Sequence, residues 1–196
     1  MYSKSTLLNL KQSLADRHNS GTLPVKSATL VLWTRLLNRG LDYCGRKLNL
    51  IGKTSLTTVS GTIALPTDFK SIFRVFIDNT ELSQVGQDDL NKQTATVYWI
   101  TGDHHNGLLL NTLNDDTYDV EYYLYPEPMI DDSDICIISD GEAVVAYAYA
   151  MLRKSESDPF EDADRSLQEC DARLIEMSSD QMGNNANIEF SLEQGA

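Results

Sequence analysis

Cysteine is scarce in this chain of 196 residues: only Cys44, Cys136 and Cys170, all far apart. Three such residues do not make a disulfide framework. Each falls at an apolar position of a candidate helix, so buried free thiols in a reducing compartment are expected. Long apolar runs are missing as well. None approaches the roughly 18 residues of a membrane-spanning helix. Met1–Leu10 lacks a basic segment followed by an apolar core, so no signal peptide is expected. Positive charge is in deficit, with 16 Lys+Arg against 29 Asp+Glu and a formal charge of −13. Nucleic-acid binding wants a concentrated basic face, and this balance argues against it. The nucleophile elbow G-x-S-x-G is absent.

What is present reads as globular, with 41% apolar and 23% charged residues. The length suits one ordinary domain, or a core plus an insertion. Charge is unevenly spread. Residues 1–60 carry nine Lys+Arg and two Asp+Glu, whereas residues 131–196 carry four and sixteen. A basic head and an acidic end could meet between copies, or simply keep the surface solvated.

Helical spacing opens the chain. Ser3 or Ser5 can cap a first helix to about Arg17, with Leu7, Leu10 and Leu14 on one side. Pro24 fits the first turn of a second helix. Its stripe is Ala28, Leu32, Leu36 and Leu48, widened by Trp33, Leu37, Leu41 and Cys44. Gly40 and Gly45 in it fit either a close neighbour or surface tolerance. From Thr54 the period shortens to two. Strands are expected at Leu56–Val59, Ile63–Leu65, Ile72–Ile77, Val97–Ile100, Leu108–Leu110 and Tyr118–Tyr125. Asp78-Asn79 closes the third strand, Asp88–Lys92 fits one helical turn, and Pro126 and Pro128 stop the last strand.

Helix then returns. Ser139 and Glu142 fit a capping box before an alanine-rich helix. Asp158, Pro159 and Glu161 fit the start of a fourth. Phe160, Ala163, Leu167, Cys170, Leu174 and Met177 form a narrow seam, usable against one other helix or a neighbouring subunit. Gly183 ends that helix. Ile188, Phe190 and Leu192 alternate and would face one way in an extended strand added to another chain. The fold expected is α+β: a four-helix core from residues 1–53 and 131–183, an antiparallel β-sheet or sandwich inserted at 54–130, and an extended arm at 184–196. Candidate interface residues are Phe160, Leu167, Leu174, Met177, Ile188, Phe190 and Leu192.

The chemistry-bearing motifs are weak. Gly52-Lys53-Thr54 resembles the end of a phosphate loop, but Lys47 stands where its first Gly is needed, and the order of elements is reversed. Asp103-His104-His105 offers ligand-type side chains that alternate across a strand, with His18 remote. Asp131–Asp134 and Asn114–Asp116 lack the Gly and distant Glu of a calcium loop. Tyr98, Trp99, Tyr122, Tyr123 and Tyr125 could stack a sugar or base, or pack across strands. No catalytic residue, cofactor or metal is expected.

The chain resembles head-to-tail adaptor (connector) proteins of tailed bacteriophages. The likeness lies in Leu65-Pro66-Thr67-Asp68-Phe69, Arg74–Asp78 with Glu81-Leu82, Asp88-Asp89-Leu90, and Tyr98–Gly102. It continues through Tyr118–Pro128 and the alanine-rich helix with its acidic follower. Asp78-Asn79 replaces the usual Asp-Gly turn. The resemblance implies a non-enzymatic virion protein at the neck, assembled in the host cytoplasm. It would form a homo-oligomeric ring, typically a dodecamer, docked under the portal protein. Tail or nozzle proteins would attach below, and genomic DNA would pass without specific binding; no membrane is involved. Rival readings are a carbohydrate-binding or other recognition module on the aromatic insert, and a hydrolase with a dispersed site.

Overall fold

A computed structural model describes residues 5–18, 21–24, 26–86, 88, 95–103, 107–156 and 160–193, with side chains over 162–180 in the last stretch. The chain divides into two compact units, residues 1–49 with 126–196, and residues 50–125.

The first unit is helical. Helix α1 (Leu7–Arg17) is capped by Thr6, whose hydroxyl accepts the Asn9 amide at 3.3 Å. The cap is thus neither Ser3 nor Ser5. Ser5 is held in backbone pairing instead: its carbonyl accepts from Cys136 N at 2.8 Å, and Thr6 bridges Ile135. The first-turn amides of Leu7 and Leu8 donate to the carbonyls of Asp134 and Asp132 at 2.9 and 3.1 Å. Those donors have no partner inside a helix, so a distant segment supplies what a local cap otherwise would.

Helix α2 (Ser27–Lys47) begins three residues after Pro24, which is therefore not in its first turn; Lys26 at the cap makes no side-chain bond. Ala28 and Leu32 are exposed, against the expected stripe. Burial runs instead from Trp33 through Leu36, Leu37 and Leu41 to Cys44. Close approach to helix α3 (Gly141–Ser155) lies in this later part, where Tyr43 stacks on Tyr147 at 4.5 Å between ring centroids.

Helix α3 packs against α1, α2 and helix α4 (Phe160–Glu193). Ala143, Val144, Val145, Ala146, Ala148, Ala150 and Leu152 are all buried in it. Its small side chains let neighbouring backbones come near. A Cβ on Gly40 would stand 2.7 Å from the Val144 carbonyl oxygen, and one on Gly45 would run into the Pro126 ring. Both glycines thus mark close approach. The α3 cap is Asp140, which accepts the Glu142 amide at 3.0 Å. The Ser139–Glu142 box does not form, because the Ser139 hydroxyl donates to Met177 Sδ at 3.3 Å and Glu142 turns to α1.

Helix α4 continues through Glu193. This corrects two expectations, a stop at Gly183 and an extended arm from residue 184. One glycine costs a propagating helix only about 1 kcal/mol, and no proline follows it. The expected cap at Asp158-Pro159 lies outside the described residues.

The second unit holds two four-stranded sheets. The first pairs β1 (Ile51–Thr57), β8 (Thr117–Leu124), β3 (Phe69–Ile77) and β4 (Thr80–Glu81) in that order, all antiparallel. The second orders β2 (Thr62–Ala64), β7 (Gly107–Thr112), β6 (Val97–Asp103) and β5 (Ser83–Gln84). Its β5–β6 pair is parallel, a departure from a wholly antiparallel insert. Asp78 and Asn79 have φ of 47° and 62°, the two positive values that a two-residue hairpin of right-handed twist requires. Ser60 and Gly61 repeat the arrangement at 55° and 70°. Buried Tyr118, Val120, Tyr122 and Leu124 alternate along β8. The Asp88–Lys92 turn falls largely outside the described residues.

Gly40→Ala decides between two opposed effects. Helix propensity favours Ala by about 1 kcal/mol, whereas overpacking costs about 1–3 kcal/mol. The obstructing atom is a backbone oxygen, so the variant is expected to lose about 1–2 kcal/mol, read as a lower urea midpoint. A raised midpoint would show that the α2–α3 approach is slack.

Candidate functional site

The catalytic-looking motifs resolve into structure. Gly52-Lys53-Thr54 lies within β1, paired to β8. A Cβ at Gly52 would stand 2.8 Å from Cζ of Tyr122, so this glycine makes room for an aromatic ring. Lys53 is ion-paired across the strands to Glu121. His104 and His105 lie outside the described residues. Among the described residues no three His, Cys, Asp or Glu groups gather as a metal site.

The acidic turns are connectors. The Asp134 carboxylate accepts the amides of Ile130 and Asp131 at 2.6 and 2.8 Å, which holds its pKa below the ordinary value. Asp132 pairs with Lys11 at 2.7 Å. The Asn114 carbonyl accepts from the hydroxyls of Thr58, Thr112 and Tyr118 at 3.0–3.1 Å. The aromatic residues divide between faces and sheets. Tyr122 is buried against Phe69 with ring centroids 5.8 Å apart, whereas Tyr123 packs on Phe73 at 5.3 Å. Successive strand residues face opposite sides, so Tyr122 and Tyr123 do not share one stacking platform.

The helical unit carries a linked set of charges. The Arg17 guanidinium grips Glu169 of α4 with two bonds of 2.8 and 2.9 Å and reaches Glu142 of α3 at 3.0 Å. Arg173 joins Glu169 at 3.1 Å and Asp140 at 2.7 Å. Ser13 adds a 2.5 Å bond to Glu142. The bonds from Arg17, opposed by partial burial, hold Glu169 down at about 2, and the two carboxylates push Arg17 up. One α1 side chain therefore ties three helices together. Sequence reading missed it, because residues 17, 142 and 169 carry no local pattern that joins them.

The three cysteines are buried. The neighbouring Cys170 of α4, together with burial, pushes the Cys44 thiol of α2 up. A thiol so placed is inert as a nucleophile.

The candidate interface residues all lie on α4. Leu174 and Met177 are buried inside the helical unit, and Leu167 is half-buried. Cys170 and Ala163 continue that seam into the same core. The side chains of Phe160, Ile188, Phe190 and Leu192 lie outside the described ones. A surface groove of about 590 Å³ opens beside α2 instead, lined by Lys11, Leu30, Val31, Arg35, Arg39 and Ile130 among others.

These features define an α+β protein: a helical unit interrupted by a two-sheet insert, with its polar groups spent on holding elements together. The chain belongs to the SU10 adaptor protein family, a family of phage head–tail adaptors, whose model matches residues 5–188. That membership makes it a structural protein of bacteriophage. No curated protein matches the chain. No helix among the described residues is long and apolar enough to cross a membrane.

Acid titration tests the charge set. Glu169 is held at about 2 against an ordinary 4.5. Its contribution to stability is therefore complete above the ordinary value and is lost as pH falls from there towards 2. Glu169→Gln should destabilise the protein at pH 7 and narrow its gap from wild type on acidification, read from melting temperatures. Arg17→Met should cost about 1.5–3 kcal/mol at pH 7, the scale of hydrogen bonds to charged groups. A neutral Arg17→Met would contradict the tie.

Proposed function

We propose that the chain is one subunit of a homo-oligomeric ring, of dodecameric order, that docks under the portal and gives tail or nozzle proteins their platform. The observation that carries this reading is the family match across residues 5–188. Charge supports it. A conduit for genomic DNA should not retain it, and a net charge of −13 disfavours adhesion to phosphates. The basic first third and acidic last third suit heterologous head-to-tail contacts between copies.

The end of α4 is the proposed anchor on the portal or a neighbouring subunit. It carries Ile188, Phe190 and Leu192, and Phe160 with Leu167 would flank the same assembly surface. Leu174 and Met177 already pack inside the subunit, so a role for them at an interface would run through the core that they share. The reading places the protein at the virion neck after assembly in the host cytoplasm.

The test is reconstitution with the cognate portal, read by mass photometry and negative-stain microscopy. The expected product is a closed ring of this chain on the portal. A chain that stays monomeric beside intact portal rings would remove the reading. Deleting residues 184–196 should abolish or sharply weaken docking, and undiminished rings from the truncated chain would remove the anchor.

A further inference from the structure

One long strand edge of the β unit is open. β1 pairs with β8 alone, through seven residues in an unbroken register. The Leu124 amide donates to the Leu50 carbonyl and the Thr58 amide to the Asp116 carbonyl, at 3.0 Å each. Backbone groups along an antiparallel strand alternate in direction. Even-numbered residues of β1 therefore bond β8, and the amides and carbonyls of Ile51, Lys53, Ser55 and Thr57 point away from it. Among the described residues none of these outward groups has a hydrogen-bond partner.

The other described edges are blunted, the usual protection of a free edge. β2 has three residues, and β4 and β5 two each. β3 carries β4 on its outer side, and its own register shifts at Phe69/Ser71 and Ile72/Arg74. On β1 the exposed side chains turn back over β8. Lys53 pairs with Glu121, the Ser55 hydroxyl donates to Asp119 at 2.6 Å, and Thr57 shares a 2.9 Å hydroxyl bond with Thr117. These residues lie on the outer face of the sheet. Gly52, Thr54 and Leu56 lie on the other, with buried Tyr118, Val120 and Tyr122.

We infer that the β1 edge receives the same edge of a second copy, antiparallel, about a two-fold axis at Thr54. Among identical chains, β1 is the one described edge long and regular enough to complete it, by strand addition. In the register centred on Thr54, Ile51 faces Thr57 of the second copy and Lys53 faces its Ser55. Every outward amide and carbonyl then finds a partner. Lys53 also nears the second copy's Asp119, which holds that Ser55 hydroxyl. A register centred on Lys53 would oppose like charges directly. One centred on Ser55 would carry Ile51 past the end of the strand. The buried faces of the two sheets come to the same side, so the sheets join into one. The contact is isologous and closes on two copies. It is separate from the head-to-tail contacts of the ring reading and does not rest on them.

Single cysteines in the full-length chain test the register. The Thr54 positions of the two copies form a non-hydrogen-bonded pair, with Cα atoms about 4.5 Å apart, within disulfide reach. The two Thr57 positions are offset along the strands by about 20 Å. T54C should therefore give a disulfide-linked dimer under oxidised glutathione, read on non-reducing gels. T57C should give none, nor should the wild type, whose three cysteines are buried. No T54C dimer, or an equal yield from T57C, overturns the contact. Ser55→Pro removes an outward amide and leaves the ladder to β8 in place, the one orientation in which an edge strand tolerates proline. In sedimentation velocity it should raise the concentration of half-association by about tenfold or more. Wild type that stays monomeric across protein concentration overturns the contact. So does S55P that associates like wild type with an unchanged melting temperature. T54C decides the matter whether or not S55P folds.

Discussion

Helix α3 is buried on nearly every side, and the helical unit depends on that burial. Its alanines and valines are small enough to admit α1, α2 and α4 at once. Three glycines complete the fit. Gly40 meets the α3 backbone, Gly45 meets Pro126, and a Cβ on Gly141 would stand 2.7 Å from Leu10 Cδ2. Close packing of this kind leaves no room for added volume, since interiors are filled to crystal-like density.

Polar bonds then fix which stretches of chain meet. The two halves of the helical unit are separated in sequence by the whole β insert. The Ser5–Leu8 backbone binds the Asp132–Cys136 segment, and Lys11 reaches Asp132. Asn38 secures the same connection from α2, donating to the Met129 carbonyl at 2.8 Å and accepting its amide at 2.9 Å. Arg17 holds the far end of α1 to α3 and α4. A chain organised this way uses its ionic groups mostly for self-assembly within the subunit.

Legibility in the sequence followed range. The order helix pair, β insert, helix pair was readable because period and composition change within a few residues at each boundary. The Asp78-Asn79 turn was readable because its φ requirements are local. Caps were less so. Ser139 looked like a cap beside Glu142, but Arg17 and Ser13 outbid the local bond. Ser5 gave way to Thr6 as the cap, and its own carbonyl accepts from the Cys136 amide. The helical course of 184–193 was obscured by three alternating apolar residues, a signal too brief to outweigh continued helix propagation. The groove was invisible beforehand, since it joins residue 11, residues 30–42 and residue 130.

The family to which the chain belongs is one of phage head–tail adaptors. An adaptor acts through where its surfaces lie, and its specificity resides in shape and charge placement. The most direct measurement is a cryo-electron microscopy reconstruction of the neck in assembled particles. The expected result is a closed ring of this chain between capsid and tail, with helical units side by side around the channel. Particles complete in neck and tail but lacking the chain, or holding it only as isolated copies, would contradict the central claim.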